Sequence, residues 1–188
     1  MPPLPSPAAL AADGLTAARL AITPVIAWLV LAGAPQPALW LFVAAGLTDL
    51  VDGYLARRAR TASAIGPWLD PLADKALIGV TYVTLGFAGI LPLWLIVLTL
   101  LRDGLIVAAV ALAWAMRRPF APAPLMISKV NTALQVALAA LALAMAGLPL
   151  DLLAGPVTAL VWLTAATTVA SFVAYGGVFV RWAARRDG

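Results

Sequence analysis

Of 188 residues, 64% are hydrophobic and 11% charged, and twelve Lys and Arg against eight acids leave a net charge of +4. A soluble domain carries roughly 25% charged residues and 45–50% apolar ones, so this composition excludes an ordinary water-soluble globule and points to an all-α, polytopic membrane protein. The absence of His and Cys excludes an imidazole base, a thiolate nucleophile, a disulfide framework and any imidazole- or sulfur-ligated metal, so a bound metal must be a hard cation on oxygen ligands.

The chain opens with MPPLPSPAALAAD, a Pro- and Ala-rich stretch without the basic start of a secretory signal. Residues 1–14 read as an arm or an interfacial segment, and 15–188 as one membrane domain. Six apolar segments follow, near 15–33, 38–60, 67–89, 92–116, 126–147 and 156–182, each long enough to span a bilayer as a helix. Turn chemistry separates them: Gly33 to Pro37, Gly66-Pro67, Gly89 with Pro92, Arg117 to Pro124, and Gly147 to Pro156. The connectors at 33–37, 89–92 and 147–155 carry no Lys or Arg, whereas Arg57, Arg58, Arg60, Arg117, Arg118, Arg181, Arg185 and Arg186 fall at the opposite ends. By the positive-inside rule the six-span chain then has both termini in the cytoplasm. Trp40 and Trp94 on one side, and Trp68, Trp114 and Trp182 on the other, lie where interfacial anchors are expected, while Trp28 and Trp162 suit gap-filling between helices equally well.

Four of the eight acids, all of which are Asp, lie within 26 residues: Asp49, Asp52, Asp70 and Asp74. A charged Asp at mid-bilayer costs ~2.5–3.5 kcal/mol, so four would cost on the order of 10–14 kcal/mol, an upper bound because water reaches the cytoplasmic end. Something cationic has to offset them. At ~100° per residue, Asp49 and Asp52 lie about 60° apart on helix two, with the small residues Gly53 and Ala56 on the same face and Arg57 about 80° beyond Asp49. Asp70 and Asp74 are one turn apart on helix three. Packed side by side, the two helices would form an all-oxygen pocket for one or two divalent ions, with room for a flat ligand over the small residues.

The run Asp49-x-x-Asp52-Gly53-x-x-Ala56-Arg57, with Gly66, Asp70 and Asp74 following, resembles the signature of the CDP-alcohol phosphatidyltransferase family at all eight fixed positions. That resemblance implies a membrane enzyme of six spans, commonly a homodimer, which displaces CMP from CDP-diacylglycerol with an acceptor hydroxyl. It further implies that Asp49, Asp52, Asp70 and Asp74 hold two Mg²⁺ or Mn²⁺ ions and that Asp74 is the general base. Asp52, Gly53, Ala56, Arg57 and Gly66 then belong to the CDP-lipid site. The chemistry is consistent: a doubly negative pyrophosphate must be neutralised before a hydroxyl approaches, and Asp74 beside the cations contributes position more than basicity.

The acceptor is read elsewhere. Asp13-Gly14-Leu15-Thr16-Ala17-Ala18-Arg19-Leu20 resembles the family's entry to the first span, apart from its Asp-Gly start. The runs at 101–106 and 127–135, the latter with Ser128-Lys129-Val130-Asn131-Thr132, look like those of the eukaryotic-type cardiolipin synthase branch, whose acceptor is phosphatidylglycerol and whose product is cardiolipin. The nearest alternative is phosphatidylglycerophosphate synthesis from glycerol 3-phosphate. Arg102, Lys129 and Lys75 are the candidates for gripping the acceptor phosphate. Each has a plainer role: Arg102 pairing with Asp103, Lys129 snorkelling to the interface, Lys75 serving Asp74 or lipid headgroups. A cation transporter is the alternative from another class, but it predicts carboxylates spread over several helices. Partners are therefore lipids and no nucleic acid, and the expected location is a bacterial inner membrane with the site facing the cytoplasm.

Overall fold

In the computed structural model, residues 7–58, 66–115 and 125–184 are described, and side chains within 14–48, 73–112, 115, 125–150 and 152–181, apart from Val110. These residues form six α-helices: α1 (Pro7–Leu31), α2 (Pro35–Arg58), α3 (Gly66–Phe87), α4 (Leu93–Ala115), α5 (Met126–Gly147) and α6 (Ala154–Ala184), with a short 3₁₀ turn at Asp151–Leu153. No strand occurs among them. The six expected segments are all present. One boundary differs: residues 7–14 form the first turns of α1 itself. Pro7 occupies a first-turn position, where its missing N–H costs nothing, and the Ala-rich run behind it has the best helix propensity of any residue type.

Two helices end in the same way. Gly33 and Gly89 have φ of +74° and +72°. Gly33 N–H donates to the Val30 carbonyl and Ala34 N–H to that of Leu29, while Gly89 N–H donates to Gly86 and Ile90 N–H to Leu85. This left-handed cap satisfies the last carbonyls of α1 and α3 and turns the chain sharply into the next element.

The chain divides into two compact units, Met1–Ile90 with Ala139–Asp151 and Leu91–Leu138 with Leu152–Gly188, so that α5 contributes to each. In the first, α2 and α3 both pack against α1. Its core includes Ile26 and Val30 of α1, Leu39 and Phe42 of α2, and Leu77, Tyr82 and Leu85 of α3. In the second, α4 packs against α6, with Leu95, Ile96, Val157, Val161 and Ala165 buried.

Burial is inverted relative to a water-soluble protein. Thr16, Thr81, Asn131, Thr164, Thr168 and Ser171 are buried, whereas Trp28, Trp40, Phe87, Val97, Trp162 and Phe172 are exposed. Polar groups inside with large apolar side chains outside is what a lipid solvent selects, because backbone and side-chain polar atoms must find partners within the bundle. Trp28 and Trp162 therefore face outward and do not fill gaps between helices; Trp162 instead pairs with Trp94, ring centroids 5.4 Å apart.

Among the described residues, three helical stretches are long and apolar enough to cross a membrane: Gly14–Leu31, Met126–Gly147 and Ala154–Arg181. This is fewer than the six spans expected. Each of α2, α3 and α4 includes side chains outside the described set, which shortens the stretch available for a full crossing.

Candidate functional site

The side chain at the centre of the first unit is Asp74. It lies on α3 between Ala73 and Leu77, both buried, and opposite α1. Helix α1 presents a buried stripe of Thr16, Arg19, Thr23, Ile26 and Val30, spaced three and four residues apart as the face of a packed helix must be. The Thr23 hydroxyl donates to the Arg19 carbonyl at 2.8 Å. From that stripe, Arg19 Nη1 donates to Asp74 Oδ1 at 2.5 Å. The Arg19 side chain is 0% exposed and that of Asp74 43%, so the cation is sealed while the carboxylate reaches an open surface.

The other signature residues are placed by their helices alone. Asp49, Asp52, Gly53, Ala56 and Arg57 lie on the C-terminal half of α2, and Gly66 and Asp70 on the first turns of α3; their side chains lie outside the described residues. Both helices are continuous through these positions, so the spacing of three between Asp49 and Asp52 and of four between Asp70 and Asp74 is helical spacing. Among the described residues no group of three potential metal ligands occurs, Asp74 alone of the four carboxylates having a described side chain. The donor set suits Mg²⁺ or Mn²⁺: oxygens only, from carboxylates, without a soft ligand in the chain.

The candidate acceptor residues do not form one group. Lys75 is exposed on α3, in the first unit. Arg102 and Lys129 belong to the second. Lys129 is exposed on the first turn of α5. Arg102 is buried on α4: Nη1 donates to Asp103 Oδ1 at 2.5 Å, Nη2 to Ser128 Oγ at 2.5 Å and to Ser171 Oγ at 2.7 Å, and Nε to Ser171 Oγ at 3.2 Å. The guanidinium carbon also lies 5.8 Å from the centroid of the Tyr175 ring, within cation–π range. The pairing with Asp103 expected as its plainer role is thus present. Beside it, α4 and α6 enclose a cavity of about 290 Å³ lined by Arg102, Tyr175 and apolar side chains including Leu105, Leu112, Phe172 and Phe179.

Arg19, Ser128, Ser171 and Tyr175 were not among the expected site residues. For Arg19 a signal existed: a cation inside an apolar span, with Thr three residues before and four after, has to find an acid on another helix. Ser128 and Ser171 carry no such signal, because a serine on a membrane helix satisfies itself on its own backbone as readily as it serves a neighbour.

The profile of the CDP-alcohol phosphatidyltransferases matches residues 9–174. The chain belongs to this family. Among similar proteins are the cardiolipin synthase (CMP-forming) of Rattus norvegicus, 40% identical over 146 residues, covering 69% of this chain and 48% of the rat protein. The chloroplastic CDP-diacylglycerol–glycerol-3-phosphate 3-phosphatidyltransferase 1 of Oryza sativa subsp. japonica is 36% identical over 176 residues, 84% of this chain and 53% of that protein. The cardiolipin synthase (CMP-forming) of Streptomyces coelicolor is 40% identical over 116 residues, 58% of this chain and 53% of its own. The chain spans about half the length of the curated relatives it matches. For the phosphatidyltransferase family, the eight-position signature of α2 and α3 falls inside the matched region.

Proposed function

We propose that the protein transfers a phosphatidyl group from CDP-diacylglycerol to phosphatidylglycerol, giving cardiolipin and CMP. The observation that carries this reading is the placement of the complete family signature on two helices that pack against the same helix, α1, within one continuous family match. Six spans with cytoplasmic termini, a single catalytic domain, a homodimer and a bacterial inner-membrane location complete the proposal. It is supported by the polar interior and apolar exterior of the bundle and by the distribution of Lys and Arg along the chain.

Asp49, Asp52, Asp70 and Asp74 would hold the two divalent ions. Bound there, such ions supply Lewis-acid activation of the attacked phosphorus and stabilise the departing CMP oxygens. The chain's own residues do the rest. Gly53 and Ala56 give the cytidine close approach to α2, Arg57 neutralises the pyrophosphate, and Gly66 belongs to the same CDP-lipid site. Asp74 takes the proton of the acceptor hydroxyl as its oxygen forms the new P–O bond and the bond to CMP breaks, so that the leaving electron pair departs on CMP. The acceptor phosphate falls to Lys75, Lys129 and Arg102. The two lysines are exposed, while Arg102 reaches a phosphate by exchanging the Asp103 carboxylate for it. The apolar cavity beside Arg102 suits an acyl chain, which phosphatidylglycerol has and glycerol 3-phosphate lacks.

A second reading, phosphatidylglycerophosphate synthesis from glycerol 3-phosphate, has an observation of its own: the rice relative matches a larger share of this chain than the rat one. Metal and base are tested together. Chelation of the purified protein should abolish CMP release and Mg²⁺ or Mn²⁺ should restore it; Asp74→Asn should abolish turnover while CDP-diacylglycerol binding survives. Turnover without metal, or in Asp74→Asn, contradicts the assignment.

A further inference from the structure

A carboxylate that both ligates a cation and accepts a proton faces a conflict, because a cation draws both of its oxygens. The pair formed by Arg19 and Asp74 bears on that conflict. The contact is a single charge-assisted hydrogen bond, from Nη1 to Oδ1, and only one of the two carboxylate oxygens is engaged by it. Its burial is lopsided. A pair serving only to hide a guanidinium inside the bundle would bury both partners, and a surface pair would expose both; here the Arg19 side chain is fully sealed and the Asp74 side chain 43% exposed. The guanidinium is also held at its base, since Arg19 lies on the buried stripe of α1 with Thr23 bonded to its carbonyl, against a helix that packs on both α2 and α3.

We infer that Arg19 is a positioning residue that divides the two oxygens of Asp74: it holds Oδ1 and directs Oδ2 to the open side, which keeps Asp74 from closing on a cation with both oxygens and preserves it as a proton acceptor. The inference rests on the reading of Asp74 as metal ligand and base. Its consequence is unusual in sign. Without Arg19, Asp74 turns both oxygens to the metal and a positive charge beside it is lost, so divalent-ion affinity rises while turnover falls. A residue that merely supports the fold moves the two together.

The test uses the full chain in detergent or nanodiscs, with Mn²⁺ binding followed by electron paramagnetic resonance alongside steady-state CMP release. Arg19→Gln should bind Mn²⁺ several-fold more tightly, with kcat down on the order of 100-fold, the scale of a misplaced reacting group, and with KM for CDP-diacylglycerol little changed. Arg19→Lys should recover part of kcat. In an Asp74→Asn background, Arg19→Gln should leave Mn²⁺ affinity where Asp74→Asn alone puts it. Affinity and turnover falling together, an unchanged kcat, or a tightening that persists in the Asp74→Asn background each overturn the inference. If Arg19→Gln does not fold, Arg19→Lys carries the same pair of readouts: tighter Mn²⁺ with lower kcat supports the division, and no change in either contradicts it. Retained turnover in Asp74→Asn alone removes the general-base reading, whereas the Mn²⁺ comparison still decides whether Arg19 restrains the carboxylate.

Discussion

Arg102 and Arg19 are both buried arginines in an apolar bundle, and their surroundings assign them different work. Arg19 meets one carboxylate at the edge of an open surface, whereas Arg102 is ringed by Ser128, Ser171 and Asp103 from three helices. Substituting Arg102 by Met removes the charge but keeps much of the length. Asp103 retains partial access to solvent, and the two serines can turn to their own backbone carbonyls, so the fold should survive. A charged hydrogen bond contributes about 1.5–3 kcal/mol, so Arg102→Met should raise the KM for the acceptor by about tenfold or more with kcat nearly unchanged. An unchanged KM with a lower unfolding midpoint would instead mark Arg102 as a tie between helices. At this scale the sequence was legible where the chemistry is written in charges: Asp74 and Arg102 stand out because a charged group in an apolar span requires a reason. The partner of each was not legible. Asp103 is adjacent and was foreseen, but the link from Arg19 to Asp74 crosses 55 positions, and periodicity on one helix does not say which face of another it meets.

At the level of elements, hydrophobic runs and turn residues located all six helices to within a few residues, except at the start of α1. Runs of that length have one low-energy conformation in lipid, and glycines at Gly33 and Gly89 announce their ends. Packing was less legible, as Gly147 illustrates. Its place before Leu148 and Pro149 marks it as a helix terminator, yet a Cβ there would lie 2.5 Å from the Gln36 nitrogen and 2.7 Å from its Cα. The last turn of α5 thus crosses the first turn of α2 at backbone contact, a crossing that only glycine permits. Because backbone cannot swing aside as a side chain does, Gly147→Leu should destabilise the protein by roughly 1–3 kcal/mol, the range for overpacking a tight contact. The measurement is the thermal midpoint in detergent: a clear fall is expected, and a midpoint equal to that of the parent would contradict the close crossing.

For the whole molecule, composition alone separated lipid from water as the solvent, and the outward-facing Trp28, Trp40 and Trp162 agree with that choice. The family was legible too, because eight fixed positions over 26 residues leave little to chance. The acceptor is harder to read. Both candidate acceptors present a phosphate to the same cations, and what separates them is apolar volume, which is a property of packed helices and not of any motif. The decisive measurement is CMP release by the purified protein from CDP-diacylglycerol with Mg²⁺ or Mn²⁺, run in parallel with phosphatidylglycerol and with glycerol 3-phosphate. Turnover with phosphatidylglycerol alone, yielding cardiolipin, is the predicted result; turnover with glycerol 3-phosphate alone, or CMP release with neither, would contradict the proposed function.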